Sequence, residues 1–356
     1  MNARHVKRVV LAYSGGLVTS AALGWLAREL EAEVVTVTLD FGEERELAAV
    51  RERALALGAV RAHVVDAREE LVREYMIPAL QAGVLMDGYA LTRPLVARRL
   101  VDIARMEMAP IVAHGGEPGS QGEAALHAAV RSLNPALEVI APARDWRLPH
   151  ADLVALARAG GGHVPAAPRH RVEASLWGRV LTAEPGQVIP DDAFTLTRSP
   201  EACPDQPAMV DIEFAAGVPV RANGVEMPMI ELIESLETIA GAHGVGRSWT
   251  GGTVVEAPAA IVLDAAHRDL VAFVVGADFA RLKDQLSHVY AAALASGRWF
   301  SDLREAIDAF GRVIQPRVTG TVRLKLLKGQ CMVISRELAG GDGRPAPPSR
   351  HSEVTA

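Results

Sequence analysis

LAYSGGLVTS, residues Leu11 to Ser20, joins the apolar run Val9–Ala12 to a segment that carries Leu17, Ala21, Leu23, Leu26 and Leu30 at helical spacing. It reads as strand, tight turn, helix. Gly15 and Gly16 let the backbone turn sharply and let an anion approach the main-chain N–H groups, while the helix that starts there points its positive dipole end at the same spot. Ser14, Thr19 and Ser20 add hydroxyl donors. The stretch is neither the GxGxxG of a dinucleotide fold nor the GxxxxGK[ST] of a Walker loop. From spacing alone, a phosphate cradle and an ordinary strand-to-helix turn both remain open.

Outward from this turn, the first half alternates strand and helix. Glu33 to Leu39 and Arg61 to Val65 read as strands, with a helix over Glu43 to Leu57 between them. A further helix begins near Glu69 and is expected to break or kink at Pro78. Thr92 resembles an N-cap with Pro94 in the first turn of the next helix. Ala109 to Ala113 and Glu138 to Ala141 complete five strands. Near-continuous apolar strands separated by helices imply an α/β domain with a parallel sheet covered on both faces. Ligands then sit beyond the carboxyl ends of the strands, where three turns face one crevice: Ser14-Gly15-Gly16, Asp40-Phe41-Gly42-Glu43 and His114-Gly115-Gly116.

The texture changes at Gly160-Gly161-Gly162, followed by Pro165 and Pro168. A boundary there divides the chain into 1–165 and an α+β domain over 166–337, with a Gly/Pro/Ser-rich tail over 338–356 expected to be disordered. The second domain opens on long loops around Pro185, Pro190 and Pro200 to Pro207. Short strands follow at Val210 to Phe214 and Val218 to Arg221, then helices at Glu226 to Ala242, Ala257 to Val275, Asp278 to Gly297 and Ser301 to Val313. A hairpin, Gly320 to Leu327 with Cys331 to Ser335, closes it.

The 356 residues, 49% hydrophobic, 22% charged and only 4% aromatic, describe a globular protein with an Ala/Val/Leu-rich core. A net charge of −6 with no basic stripe argues against nucleic acid as a partner. The apolar run after Arg4, Lys7 and Arg8 is too short for a signal peptide or a membrane span, and a cytoplasmic location is the default expectation. Cys203 and Cys331 lie far apart, outside any CxxC or Cys/His cluster, so neither a disulfide framework nor a structural zinc site is implied.

The stretches VVLAYSGG, DFGEE, ERALALGA, VVDAREELVREY, RPLVARRLVDIA, VAHG, VIAPARDW, LWGR, IEFAAGVPV, HGVGR, EAPAA and VTGTVRLKLLKG span Val9 to Gly329. They resemble the argininosuccinate synthase family of N-type ATP pyrophosphatases, whose pyrophosphate loop is similar to LAYSGGLVTS. The resemblance implies a nucleotide-binding domain followed by a synthetase domain, and an ATP-dependent ligase in which the ureido oxygen of citrulline attacks the α-phosphorus, pyrophosphate leaves and the amine of aspartate displaces AMP. It implies an ATP site at Ala12, Tyr13, Ser14, Gly15, Gly16, Leu17, Thr19 and Ser20, with Leu39 and Gly115 beside the adenosine and magnesium completing charge neutralisation.

The family pattern is broken in places. The family loop reads SGGLDTS, and Val18 stands at its aspartate. Counted without a gap against HGCTGKGNDQVRFE, Glu117 replaces a threonine, Gln121 an asparagine, Gly122 an aspartate and Ala125 an arginine that in the family reaches citrulline. A methyl group cannot stand in for a guanidinium that pairs with a carboxylate. Tyr89 or Thr92 remains from a shortened citrulline segment, Arg171 and Val180 fall on two family serines, and Val255 on a tyrosine. Tyr89, Glu117, Gln121 and Arg171 are therefore the candidate substrate residues, and small molecules the expected partners. A homo-oligomer stays open without the family's long C-terminal arm, which a short tail after Leu338 replaces. His63, Asp66 and Arg68 read as a structural salt bridge or cap, His243 and His267 as structural, and His163, Arg169, His170 and Arg171 as a solvated loop or a new anion pocket. Two functions survive: a ligase with substrates altered from citrulline and aspartate, and a non-catalytic paralogue that keeps the fold as a nucleotide-binding or interaction module.

Overall fold

The computed structural model describes residues 7–43, 46–84, 88–116, 119–143, 154–155, 170–183, 187–250 and 253–339. The glycine run at 160–162, His163, Arg169, Glu117 and the tail beyond 339 lie outside these residues.

Five strands, β1 (Lys7–Ala12), β2 (Ala32–Asp40), β3 (Arg61–Asp66), β4 (Ile111–His114) and β5 (Glu138–Ile140), form a parallel sheet in the order β3-β2-β1-β4-β5. The apolar run of Val9, Val10 and Leu11 fills β1 at the centre, buried on both faces. The chain winds outward from β1 to β3 and then returns to β4 on the other side of β1. The carboxyl ends of β1 and β4 therefore part into a crevice at the point where the winding reverses.

Helices α1 (Leu17–Glu29) and α2 (Leu47–Ala56) link the first three strands. The next segment, α3 (Arg68–Leu71), a π-helical turn (Val72–Met76) and α4 (Ile77–Ala82), runs on as one helical path and ends at Gly83. The widened turn accommodates Pro78, which lacks an N–H and would otherwise clash with the preceding turn, so the proline does not break the segment. The expected cap at Thr92 is not formed, because helix α5 (Gly88–Met106) already begins at Gly88 and carries Pro94 in its interior. The Thr92 hydroxyl is buried and donates back to Tyr89 O at 2.7 Å, which makes it a mid-helix residue. Helix α6 (Gln121–Leu133) connects β4 to β5 and is capped by Ser120 Oγ, which accepts from Glu123 N.

The second half holds two antiparallel sheets. One has the order β11-β12-β7-β6, from β6 (Arg171–Ser175), β7 (Gly178–Thr182), β11 (Arg247–Thr250) and β12 (Thr253–Glu256). The other has the order β10-β9-β8-β13-β14, from β8 (Ala208–Ala215), β9 (Val218–Ala222), β10 (Val225–Glu226), β13 (Gly320–Leu327) and β14 (Gln330–Leu338). Helices α7 (Met229–Ala242), α8 (Pro258–Val275), α9 (Ala277–Ala295) and α10 (Asp302–Arg312) match the helical periodicities. The β6–β7 hairpin lies in a region read as loop, and Ser248 to Val255 falls in the β11–β12 hairpin; both are short strand pairs between turns. Among the described residues no helix is long and apolar enough to cross a membrane.

One hydrophobic core runs through both halves, from Val10 and Val112 to Phe214 and Leu324. Three aromatic residues join the halves within it: Tyr75 stacks on Trp299 at 5.1 Å between centroids, and Tyr290 meets the same indole edge-on at 5.7 Å.

Candidate functional site

The turn after β1 is held from below. Gly15 has φ +76°, which favours glycine, and its carbonyl accepts from Arg53 Nη1 of α2 at 2.8 Å. Thr38 Oγ1 donates to Tyr13 O at 2.8 Å, fixing the loop to β2. Ser14 Oγ accepts from Gly16 N at 3.3 Å and lies 3.2 Å from Thr19 Oγ1, so the two hydroxyls brace the first turn of α1. Gly16 sits at the N-cap in extended conformation, no side chain caps α1, and its first turn carries no acidic residue. The positive end of the helix dipole thus faces the crevice with no acidic side chain in its own first turn.

The β4 turn lies against that helix end. A Cβ on Gly115 would sit 2.6 Å from Thr19 Cγ2 and 3.5 Å from Val18 Cγ1, so only glycine lets the two turns meet. The turn after β2 closes the third side. Asp40 Oδ1 accepts from Gly42 N at 2.9 Å and Glu43 Oε2 from Phe41 N at 2.8 Å, so both carboxylates hold backbone amides of their own turn. That turn grips the second half: Leu176 N donates to Phe41 O at 2.7 Å, and a Cβ on Gly42 would lie 2.5 Å from the Leu176 side chain.

These turns border a cavity of about 730 Å³, within the range of small-molecule sites. Ala12, Tyr13, Ser14, Thr19, Leu39 and Gly115 line it. Gly15, Gly16, Leu17 and Ser20 shape the loop without lining it; Ser20 is buried in a 3.1 Å hydrogen bond with the Tyr13 hydroxyl. Burial raises the Tyr13 phenol above its ordinary value against that bond, so the ring stays neutral.

The other wall is α5, which presents Tyr89, Thr92, Arg93, Val96 and Leu100 along one face, with Glu123 and Leu126 of α6 beside it. His170, Arg171 and Glu173 of the β6–β7 hairpin cover the cavity, with Arg171 paired to Glu173 at 3.1 Å. Of the four candidate substrate residues, Tyr89 and Arg171 therefore reach the wall. Gln121 is exposed at the start of α6 and does not line it.

Ala125 is also absent from the wall: it is buried beneath Gly297, whose added Cβ would meet Ala125 O at 2.0 Å. The arginine counted to that position leaves no gap in this cavity. Val180 and Val255 are cross-strand partners inside the second sheet, away from the wall. Gly122 lies instead under a guanidinium, for a Cβ there would touch Arg93 Nη2 at 3.0 Å. Arg93, held with Cζ 5.6 Å from the Tyr89 ring centroid, brings a cation to the wall that sequence reading overlooked as part of an ordinary helix start.

Other groups take structural roles. His63 joins Arg61 and Arg8 around the buried Glu107. Asp66 pairs with Arg68, His243 Nδ1 lies 3.0 Å from Ile239 O, and His267 is buried beside Gln315. A second cluster did not emerge from the search for Cys and His motifs: His114, Glu123 and His127 bring one ligand atom each within 4.8 Å of one another. The signal was a Glu and a His four residues apart on a helix that faces a strand-end His.

The model for the argininosuccinate synthase N-terminal HUP domain matches residues 8–162, and that for the argininosuccinate synthase C-terminal domain matches residues 172–340. Argininosuccinate synthases of Bacillus thuringiensis (strain Al Hakam) and Bacillus anthracis (strain CDC 684 / NRRL 3495) are each 38% identical over 352 residues, covering 93% of this chain and 87% of their own. The solved NAD+ synthetase of Burkholderia pseudomallei shares 25% identity over 45% of this chain and 69% of its own at a TM-score of 0.28, an overlap too slight to bear on the fold.

Proposed function

The chain belongs to the argininosuccinate synthase family, and we propose that it is an ATP-dependent C–N ligase with acceptor and amine substrates altered from citrulline and aspartate, the alteration being read from its own departures from the family pattern. ATP, when bound, supplies the adenylyl group that activates the acceptor oxygen as pyrophosphate leaves. The observation that carries the reading is the uncapped N-terminus of α1, which Gly115 lets the cavity reach beside Thr19. Main-chain amides and the helix dipole there stabilise a departing polyphosphate as its charge grows. Ser14 and Thr19 supply hydroxyls at the same rim, and the adenosine falls toward Leu39 and Gly115.

Val18 is the one weak position of the cradle. Its isopropyl group stands where a carboxylate would hold magnesium, so the chain's own amides do more of the neutralisation. The altered substrates follow from the wall. Arg93 over Gly122 brings a cation to that wall for a substrate carboxylate, and the Arg171–Glu173 pair closes the cavity from the hairpin side. The change from parallel to antiparallel sheets supports the division of the chain near residue 165 as part of the same proposal.

The test is pyrophosphate release from Mg-ATP in the presence of paired carbonyl and amine compounds, citrulline with aspartate included. Release that requires an acceptor is expected, with the citrulline–aspartate pair slower than the best pair. No release across the panel, together with melting unchanged by Mg-ATP, would overturn the reading. Stabilisation by Mg-ATP without release would instead identify a non-catalytic nucleotide-binding paralogue, the reading that Val18 favours.

A further inference from the structure

At the reversal point of the sheet, β4 ends in His114, and α6 carries Glu123 and His127 one helical turn apart on the face that meets it. One ligand atom from each of the three lies within 4.8 Å of the others, with His114 and Glu123 buried and His127 half-buried. We propose that these residues bind one divalent transition-metal ion, with an open coordination position toward the cavity that His114 and Glu123 line.

The donor set favours such an ion. Two imidazoles and one carboxylate with a vacant position match the facial arrangement used for Zn²⁺, Mn²⁺, Fe²⁺ or Co²⁺, whereas Mg²⁺ selects oxygen donors. Ligand atoms in a tetrahedron with 2.1 Å arms stand roughly 3.4 Å apart, so small side-chain rotations close the present spacing. The surroundings support the cluster. A Cβ on Gly116 would meet His114 Nδ1 at 2.9 Å and Glu123 Cβ at 3.0 Å, so glycine is what lets the two ligands approach.

Glu123 is oriented by bonds from its neighbours: its own N–H donates to Ser120 Oγ at 3.1 Å, and Gly119 N–H donates to Glu123 Oε2 at 3.3 Å. Gly116 N–H donates to His114 Nδ1 at 3.2 Å, a bond that orients the imidazole beside Glu123. Once held, the ion presents its vacant position to an anionic oxygen of a cavity ligand, beside the helix end that lacks a loop carboxylate. No nucleotide is needed for binding, so the site stands or falls apart from the proposed ligase activity.

The experiment uses the full chain, stripped of metal and free of nucleotide, titrated with Co²⁺ and followed by visible absorption, with metal content measured after dialysis against Zn²⁺. One ion per chain is expected, with absorption bands of a nitrogen-and-oxygen site of low coordination number and no displacement by equimolar Mg²⁺. His127→Gln and Glu123→Gln should each weaken Co²⁺ by on the order of 100-fold, since loss of a ligand costs at least as much as loss of its supporting bond. His127 is half-buried, so its variant keeps the fold if Glu123→Gln disturbs the cap, and parental melting of His127→Gln confirms this. Absence of saturable uptake, Co²⁺ affinity and spectrum unchanged in His127→Gln, or displacement by equimolar Mg²⁺ would each overturn the proposal.

Discussion

Gly115 has no room for a side chain, which constrains the proposed nucleotide cradle. Gly115→Ala would place Cβ 2.6 Å from Thr19 Cγ2 and push the β4 turn away from α1. The expected result is Mg-ATP affinity weakened about tenfold by calorimetry, equivalent to about 1.4 kcal/mol. An unchanged affinity would detach the β4 turn from nucleotide binding. Val18→Asp works in the opposite direction: it returns a carboxylate to the first turn of α1, where the dipole favours it, and should strengthen Mg-ATP binding. Gly115 was legible in the sequence because a glycine pair at a strand end has a backbone meaning, and Val18 only through its departure from the family loop. Arg53, which holds the Gly15 carbonyl from 38 positions away, was not, since a hydrogen bond to a main-chain oxygen leaves no periodicity.

At the scale of elements, the long apolar strands and periodic helices of both halves were readable, whereas the sheet β11-β12-β7-β6 was missed. Its strands are four or five residues long, too short for alternation to stand out. The segment from Phe194 to Arg198, which has no pattern at all, is held by Arg247 of β11, which donates to Thr197 Oγ1 and Thr197 O, and by a buried carboxylate on β12. Glu256 accepts from Leu196 N at 3.0 Å, from Thr197 N at 2.7 Å and from Thr197 Oγ1 at 2.6 Å, and pairs with Arg179 at 3.3 Å. Glu256→Ala removes the acceptor from the Leu196 and Thr197 amides and the counter-charge from Arg179, which keeps the Ala193 carbonyl and the Thr195 hydroxyl. It should cost about 3 kcal/mol in urea unfolding; a loss under about 1 kcal/mol would show that water replaces the carboxylate.

Helix α8 carries a pH dependence of its own. Burial, with the nearby Lys283 charge, pushes the His267 imidazole down to about 3, while in the unfolded chain it titrates near 6.5. Between these values the unfolded chain holds the additional proton, so stability falls as pH drops from about 6.5. His267→Gln should reduce proton uptake on unfolding at pH 5 by close to one proton per chain, measured from stability against pH.

For the whole molecule, the continuous core sets the cooperativity. Tyr75 from the first half stacks on Trp299 from the second, which Tyr290 meets edge-on, so loss of packing in one half strips contacts from the other. One thermal transition is expected, and Trp299→Ala should lower stability by about 3–5 kcal/mol while keeping a single transition. Two resolved transitions would show that the halves unfold independently. The scarcity of aromatic residues was visible in the composition; the stacking of Tyr75 on Trp299 was not, because no local spacing connects residue 75 with residue 299. The bond from Leu176 N to Phe41 O has a further consequence at this scale. It ties the hairpin that covers the cavity to the end of β2 through a single amide. That amide is a built-in reporter: its hydrogen-exchange rate measures how often the two halves part, and a ligand held between them should slow it.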